Sequence, residues 1–173
     1  MNRQLTLSLA TVAFISTALS LCAQNKSNPV AQLDVGSIRA IPQVYVDLRL
    51  RAPDLEIFVP YCGESEGGGK VLCVAATRLE VETKTGWHPA KLRTTYGVLG
   101  ALSLDRARGV LIAPKNEASF SFQFSTYFFE VAPGQRLRVV VDAWSNEESM
   151  KTGGPSMQFV SPPFKCPDGE TRP

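Results

Sequence analysis

The side chains that could carry chemistry are few. The single histidine, His88, sits in Gly86-Trp87-His88-Pro89. A Ser-His-Asp or Cys-His mechanism would need it as the base. Its Gly and Pro neighbours read instead as a turn or strand end, where an imidazole is ordinarily exposed. Carboxylates occur in pairs: Glu64 with Glu66, Glu80 with Glu82, and Glu147 with Glu148. Two carboxyl groups flanking a glycosidic bond can hydrolyse it. Glu80 and Glu82, beside Arg78 and Lys84, better fit the solvated outward face of one strand, with ion pairs across to a neighbour. Glu64 and Glu66 lie in a Gly-rich loop without the alternating oxygen ligands of a calcium motif.

Gly67-Gly68-Gly69-Lys70 lacks the glycine spacing, the following Ser/Thr and the helix that a phosphate-binding loop requires. It reads as a hairpin tip. The arginine pairs Arg49/Arg51, Arg106/Arg108 and Arg136/Arg138 fit the polar faces of alternating strands. Cys166, with Lys165 as its one basic neighbour, reads as an inert or intermolecular cysteine. No catalytic residue, cofactor site or metal ligand set is assigned. Two Cys and a distant His88 are too few for structural zinc.

Elements must hold these residues, and the first segment is set apart from them. Met1-Asn2-Arg3 is a short positive start, and Leu5 to Leu21 then run without a charge. With small residues near Cys22-Ala23, this matches an export signal. The alternatives are a retained anchor, for which the run is near the lower length limit, and lipidation at Cys22, for which Leu21 is a poor preceding residue. Export places the protein in the periplasm or outside the cell, or anchors it as a lipoprotein through Cys22. Disulfides persist there. Of the four Cys, Cys62 and Cys73 flank the Gly-rich stretch and are expected to pair. Closing so short a loop contributes about 2.5–3 kcal/mol by chain-entropy reasoning.

The body shows period-two alternation repeatedly. Val44, Val46, Leu48 and Leu50 alternate with Tyr45, Asp47, Arg49 and Arg51. Leu55, Ile57, Val59 and Tyr61 alternate with Glu56, Phe58 and Pro60; Leu79, Val81 and Thr83 with Arg78, Glu80 and Glu82. Phe120, Phe122 and Phe124 alternate with serines and Gln123, and Leu137, Val139, Val141 and Ala143 with Arg136, Arg138, Val140 and Asp142. Such segments are half-buried strands. Tyr96 to Leu104 fits either a strand or a helical turn, and Ser145 to Pro155 reads as a polar loop. No window keeps helical spacing over three turns. The expected fold is all-β, an antiparallel β-sandwich of about seven or eight strands. The expected organisation is a signal peptide at 1–23, a polar linker at 24–40 (Val35 to Ile41 being a candidate short strand), the β-sandwich domain at 41–166 and a C-terminal tail at 167–173.

The stretches "VYVDLRLRAPDLEIFVPYCG", "RLEVETKTGWHPAKL", "SFSFQFSTYFFEVAPGQRLRVVVDAW" and "MQFVSPPFKC" together resemble bacterial extracytoplasmic immunoglobulin-like or fibronectin-III-like domains. The Pro-Gly turn before "RLRVVVDAW" is similar to the E–F corner and F strand of such sandwiches. The departures are that Arg136 to Trp144 holds no cysteine for an inter-sheet bridge, and that Tyr127 comes too early for a tyrosine corner. The resemblance implies architecture, and a binding, spacing or assembly role; no functional residue carries over.

A net charge of +2 gives no case for nucleic acid. The expectation is therefore a non-catalytic exported module that binds or supports an unidentified macromolecule in the cell envelope, without a cofactor. Tyr127-Phe128-Phe129 puts consecutive aromatics on both faces of the chain, and these three are the candidate partner contact. Two alternatives stand: a protease inhibitor presenting the segment closed by Cys62 and Cys73, and a secreted hydrolase using a Glu pair.

Overall fold

The computed structural model describes residues 32–40, 43–65, 68–93, 104 and 107–168. Strands form where the alternation demands them. They are β1 (Gln32–Ala40), β2 (Val44–Arg51), β3 (Ile57–Glu64), β4 (Lys70–Leu72), β5 (Thr77–Thr83), β6 (Gly86–Pro89), β7 (Arg108–Ile112), β8 (Glu117–Phe124), β9 (Arg136–Ala143), β10 (Met157–Val160) and β11 (Phe164–Lys165). One short helix, α1 (Glu147–Lys151), and a 3-10 turn at Val74–Ala76 complete the described elements. The chain is all-β. Its described strands outnumber the seven or eight expected, because short pieces such as β4 and β11 stand as strands of their own.

Two sheets result, one ordered β1-β2-β8-β4-β3-β7 and the other β10-β9-β5-β6, with β11 also on β9. Their inward faces share one apolar cluster. Val46, Leu48, Leu50, Ile57, Val59, Phe120 and Phe122 of the first sheet meet Leu79, Leu137, Val139, Val141 and Phe159 of the second. Each such side chain taken from water stabilises the fold by about 1.5–3 kcal/mol. Among the described residues the strand pairings are antiparallel except β4 against β8, where Lys70 stands opposite Phe120 and Val71 opposite Ser121 in parallel. The expectation of a wholly antiparallel arrangement is corrected there: the hairpin of β3 and β4 lays its second strand beside β8, running the same way.

Three further expectations are corrected. The linker placed at 24–40 contains β1, which pairs with β2 from Gln32↔Arg51 to Ala40↔Val44. Its pattern is hidden by a bulge between Val35 and Ile38, which carries the unpaired Gly36-Ser37. The polar loop of 145–155 contains α1. Asn146 caps it by accepting from the Ser149 N–H at 2.8 Å, and Glu147 pairs with Lys151 at 2.6 Å. Five residues are too few for an apolar period to register.

Finally, β3 does not alternate: Ile57, Phe58, Val59 and Pro60 are all buried. Its outer side is covered by a second cluster of Phe58, Cys73, Ala76, Ala107, Trp144 and Met150. Phe58 and Trp144 exchange both backbone hydrogen bonds, at 2.7 and 2.9 Å, so the residue after β9 stitches the second sheet to the first. Gly109 on β7 lies under this cluster, where a Cβ would sit 1.7 Å from Phe58 Cζ, so only glycine fits. The expected stretch at Tyr96 to Leu104 falls almost wholly outside the described residues.

Candidate functional site

The groups that could react are dispersed or already occupied. His88 is exposed on β6, and its Nε2 is 2.9 Å from Thr85 Oγ1. Among the described residues no three His, Cys, Asp or Glu side chains are grouped to hold a metal ion. Glu147 and Glu148 open the first turn of α1, where negative charge suits the helix N-terminus. Glu64 ends β3, and Glu66 lies outside the described residues.

Glu80 corrects the expectation of a solvated face. It is only 7 % exposed. Arg78 Nε donates to its Oε1 at 3.0 Å, and Arg138 Nε donates to its Oε2 at 2.7 Å. Arg78 also donates to Gln158 Oε1 at 3.0 Å and lies 3.8 Å from Asp142. The Arg138 guanidinium stacks 4.5 Å from the centre of the Trp87 ring, and Arg136 pairs with Glu82 at 2.7 Å. Strand register explains the cluster, since Glu80 stands opposite both Arg138 on β9 and Pro89 on β6. Burial pushes the Glu80 carboxyl up, but the hydrogen bonds and charges of Arg138 and Arg78 outweigh it and hold it below the ordinary carboxylate range. A general acid must keep its proton near neutral pH. Glu80 is ionised with both oxygens taken, which is a structural role.

Three of the described arginines of these pairs are taken up in ion pairs. Arg49, Arg136 and Arg138 each answer a carboxylate, the first at 3.7 Å from Glu117. Arg106 lies outside the described residues.

Cys62 and Cys73 are joined, as expected from their spacing. The hairpin they brace turns at Ser65–Gly69, with Gly68 at φ +75°. Cys166 is free and 2 % exposed, in the shared core. Burial, and then the nearby Asp168, push its thiol pKa up, so it stays an unreactive thiol. The intermolecular alternative does not fit so covered a side chain.

The exposed aromatic corner is different in kind. After β8 the chain turns at Ser125–Phe128: the Phe128 N–H donates to the Ser125 carbonyl at 3.0 Å, and the Tyr127 N–H to Ser125 Oγ at 3.2 Å. Tyr127 is 67 % exposed and Phe128 37 %, their rings edge-to-face at 5.4 Å. Phe129 turns the other way and packs edge-on against Phe124 at 6.3 Å. So two of the three candidate contacts face solvent and the third anchors them. A second segment braces the turn. Leu92 bridges Phe129, the Arg93 N–H donates to the Phe128 carbonyl at 2.7 Å, and Arg93 Nε donates to the Phe129 carbonyl at 3.0 Å. Leu92 is itself 45 % exposed. Its part in the corner depends on a long-range pairing that no local signal announces.

The corner also has a definite place. It follows Phe124, which pairs with Val44, whereas the first described residue, Gln32, pairs with Arg51 at the opposite end of β2. No protein-family model, no curated protein and no solved structure matches the chain.

Proposed function

We propose that this protein is a non-catalytic, exported, immunoglobulin-like β-sandwich module that binds another macromolecule of the cell envelope through Leu92, Tyr127 and Phe128. The observation that carries the reading is the exposure of two aromatic rings and a leucine on a hydrogen-bonded corner. Solvent-exposed aromatics grouped on a braced turn are the usual anchors of protein interfaces.

Strand neighbours support the immunoglobulin-like part. The order β1-β2-β8 corresponds to strands A-B-E, and β10-β9-β5-β6 to G-F-C-C′. The hairpin of β3 and β4, with β7, then stands as an insertion where strand D would pair. The charge-free Leu5 to Leu21 run supports export to the periplasm or medium, or anchoring at Cys22. In either case the corner lies at the end of the first sheet away from where β1 begins, free to meet a partner. The inhibitor alternative gains nothing from the fold, because Lys70–Leu72 is paired on both sides within the sheet.

The test is capture of partners from the native envelope under gentle conditions, comparing the natural protein with a Tyr127→Ser, Phe128→Ser variant. A discrete partner retained by the first and lost by the second is expected. No partner at all, or one retained equally by both, refutes the reading.

A further inference from the structure

The two sheets have four edges, and three of them are blunted. β1 carries a bulge and the charged Asp34 and Arg39. β6 is four residues long and ends at Pro89. β10 is also four residues long, between Pro155 and Pro162-Pro163. Bulges, charges, shortness and proline are the devices by which sheet edges avoid pairing with other chains.

β7 is barely longer, at five residues, and opens on Arg108, but along Gly109-Val110-Leu111-Ile112 it holds no bulge, charge or proline. Its register with β3 is unbroken from Tyr61↔Arg108 to Ile57↔Ile112. Among the described residues no strand pairs with its other edge. Leu111 is 53 % exposed and Val110 half-buried, so the edge is apolar on both sides of the backbone.

We propose that β7 is a self-association edge, at which a second copy of this chain adds its own β7 antiparallel about Val110. The sequence is self-complementary in that register. Leu111 of one copy stands opposite Gly109 of the other, a large side chain against none. Arg108, the one charge in the strand, stands opposite Ile112 and never opposite its like. A two-fold axis through Val110 makes the interface isologous and closed, so pairing stops at a dimer instead of propagating. The apolar Val110 and Leu111 of both copies are covered in the same step. Five residues a side bury less than the ~800 Å² per partner of a standard interface, so the dimer is expected to be weak, with Kd on the order of 10–100 μM. This inference stands apart from the aromatic corner, which lies beyond the end of β8.

The test is analytical ultracentrifugation of the purified protein across that concentration range, with hydrogen exchange at both extremes. Reversible dimerisation is expected, with exchange in β7 slowing at high concentration and exchange in β1 unchanged. The Leu111→Lys substitution should weaken association about tenfold or more, while Val160→Lys, at an exposed apolar residue of β10, should leave it unchanged. The exchange comparison needs no variant and so decides the matter even if Leu111→Lys folds poorly. A monomer at every concentration, slowing in β1 rather than β7, or equal weakening by both substitutions overturns the proposal.

Discussion

The outer face of the second sheet and the corner after β8 look alike in sequence, since each gathers conspicuous side chains. They differ in what those side chains touch. On the sheet face Arg78, Glu80 and Arg138 answer one another, and Trp87 covers the last of them. At the corner the backbone is tied by hydrogen bonds from Tyr127, Phe128, Phe129 and Arg93, but the Tyr127, Phe128 and Leu92 side chains stay exposed. A cluster whose charges are satisfied internally has little left with which to bind or react. An apolar group held rigidly in water keeps its hydrophobic free energy for a partner.

Breaking the sheet face should have the largest effect. Glu80→Ala leaves two guanidiniums facing each other, and denaturant unfolding should report a loss of about 2–3 kcal/mol, moderated because both arginines keep some solvent. Replacing Arg78, Glu80 and Arg138 together by Met, Leu and Met should cost less than Glu80→Ala alone, since only the part-exposed Asp142 then loses a charged partner. Acid tests the same cluster without mutation. The folded Glu80 carboxyl lies below its unfolded value of about 4.3, so its stabilisation is complete above that pH. It is lost as pH falls through the depressed folded value, and the Glu80→Ala variant should show a shallower acid dependence below pH ~4.3. Trp87→Leu removes the stacking on Arg138 and should cost about 1 kcal/mol by the same unfolding measurement. The corner should give the smallest stability change. Tyr127→Ser with Phe128→Ser should shift unfolding by no more than about 0.5 kcal/mol while partner capture is lost.

Legibility in the sequence followed how many faces of a strand are covered. β2 has one face in the core and the other part-exposed, and β8 alternates Phe with Ser and Gln even though its Ser121 is buried, so the alternation of both was plain. β3 is covered on both sides by two clusters, which erases the period. β1 was obscured by its bulge, and α1 by its length. The acidic pair on β5 could be read as ion-paired, but its burial could not, because Arg138 reaches Glu80 from 58 residues away. The corner was half legible. Consecutive aromatics place rings on both faces of the chain, and the structure turns Phe129 inward and the other two out. Leu92 joins them only through a bridge between distant segments.

The most direct test is to place a photo-crosslinking aromatic residue at Tyr127, and in a separate protein at Lys84 in the β5–β6 turn, and irradiate both in the native host. A discrete adduct from position 127 that is absent from position 84 and diminished by Phe128→Ser is predicted. No adduct at 127, or the same adducts from both positions, would contradict the assignment of the aromatic corner as the binding surface.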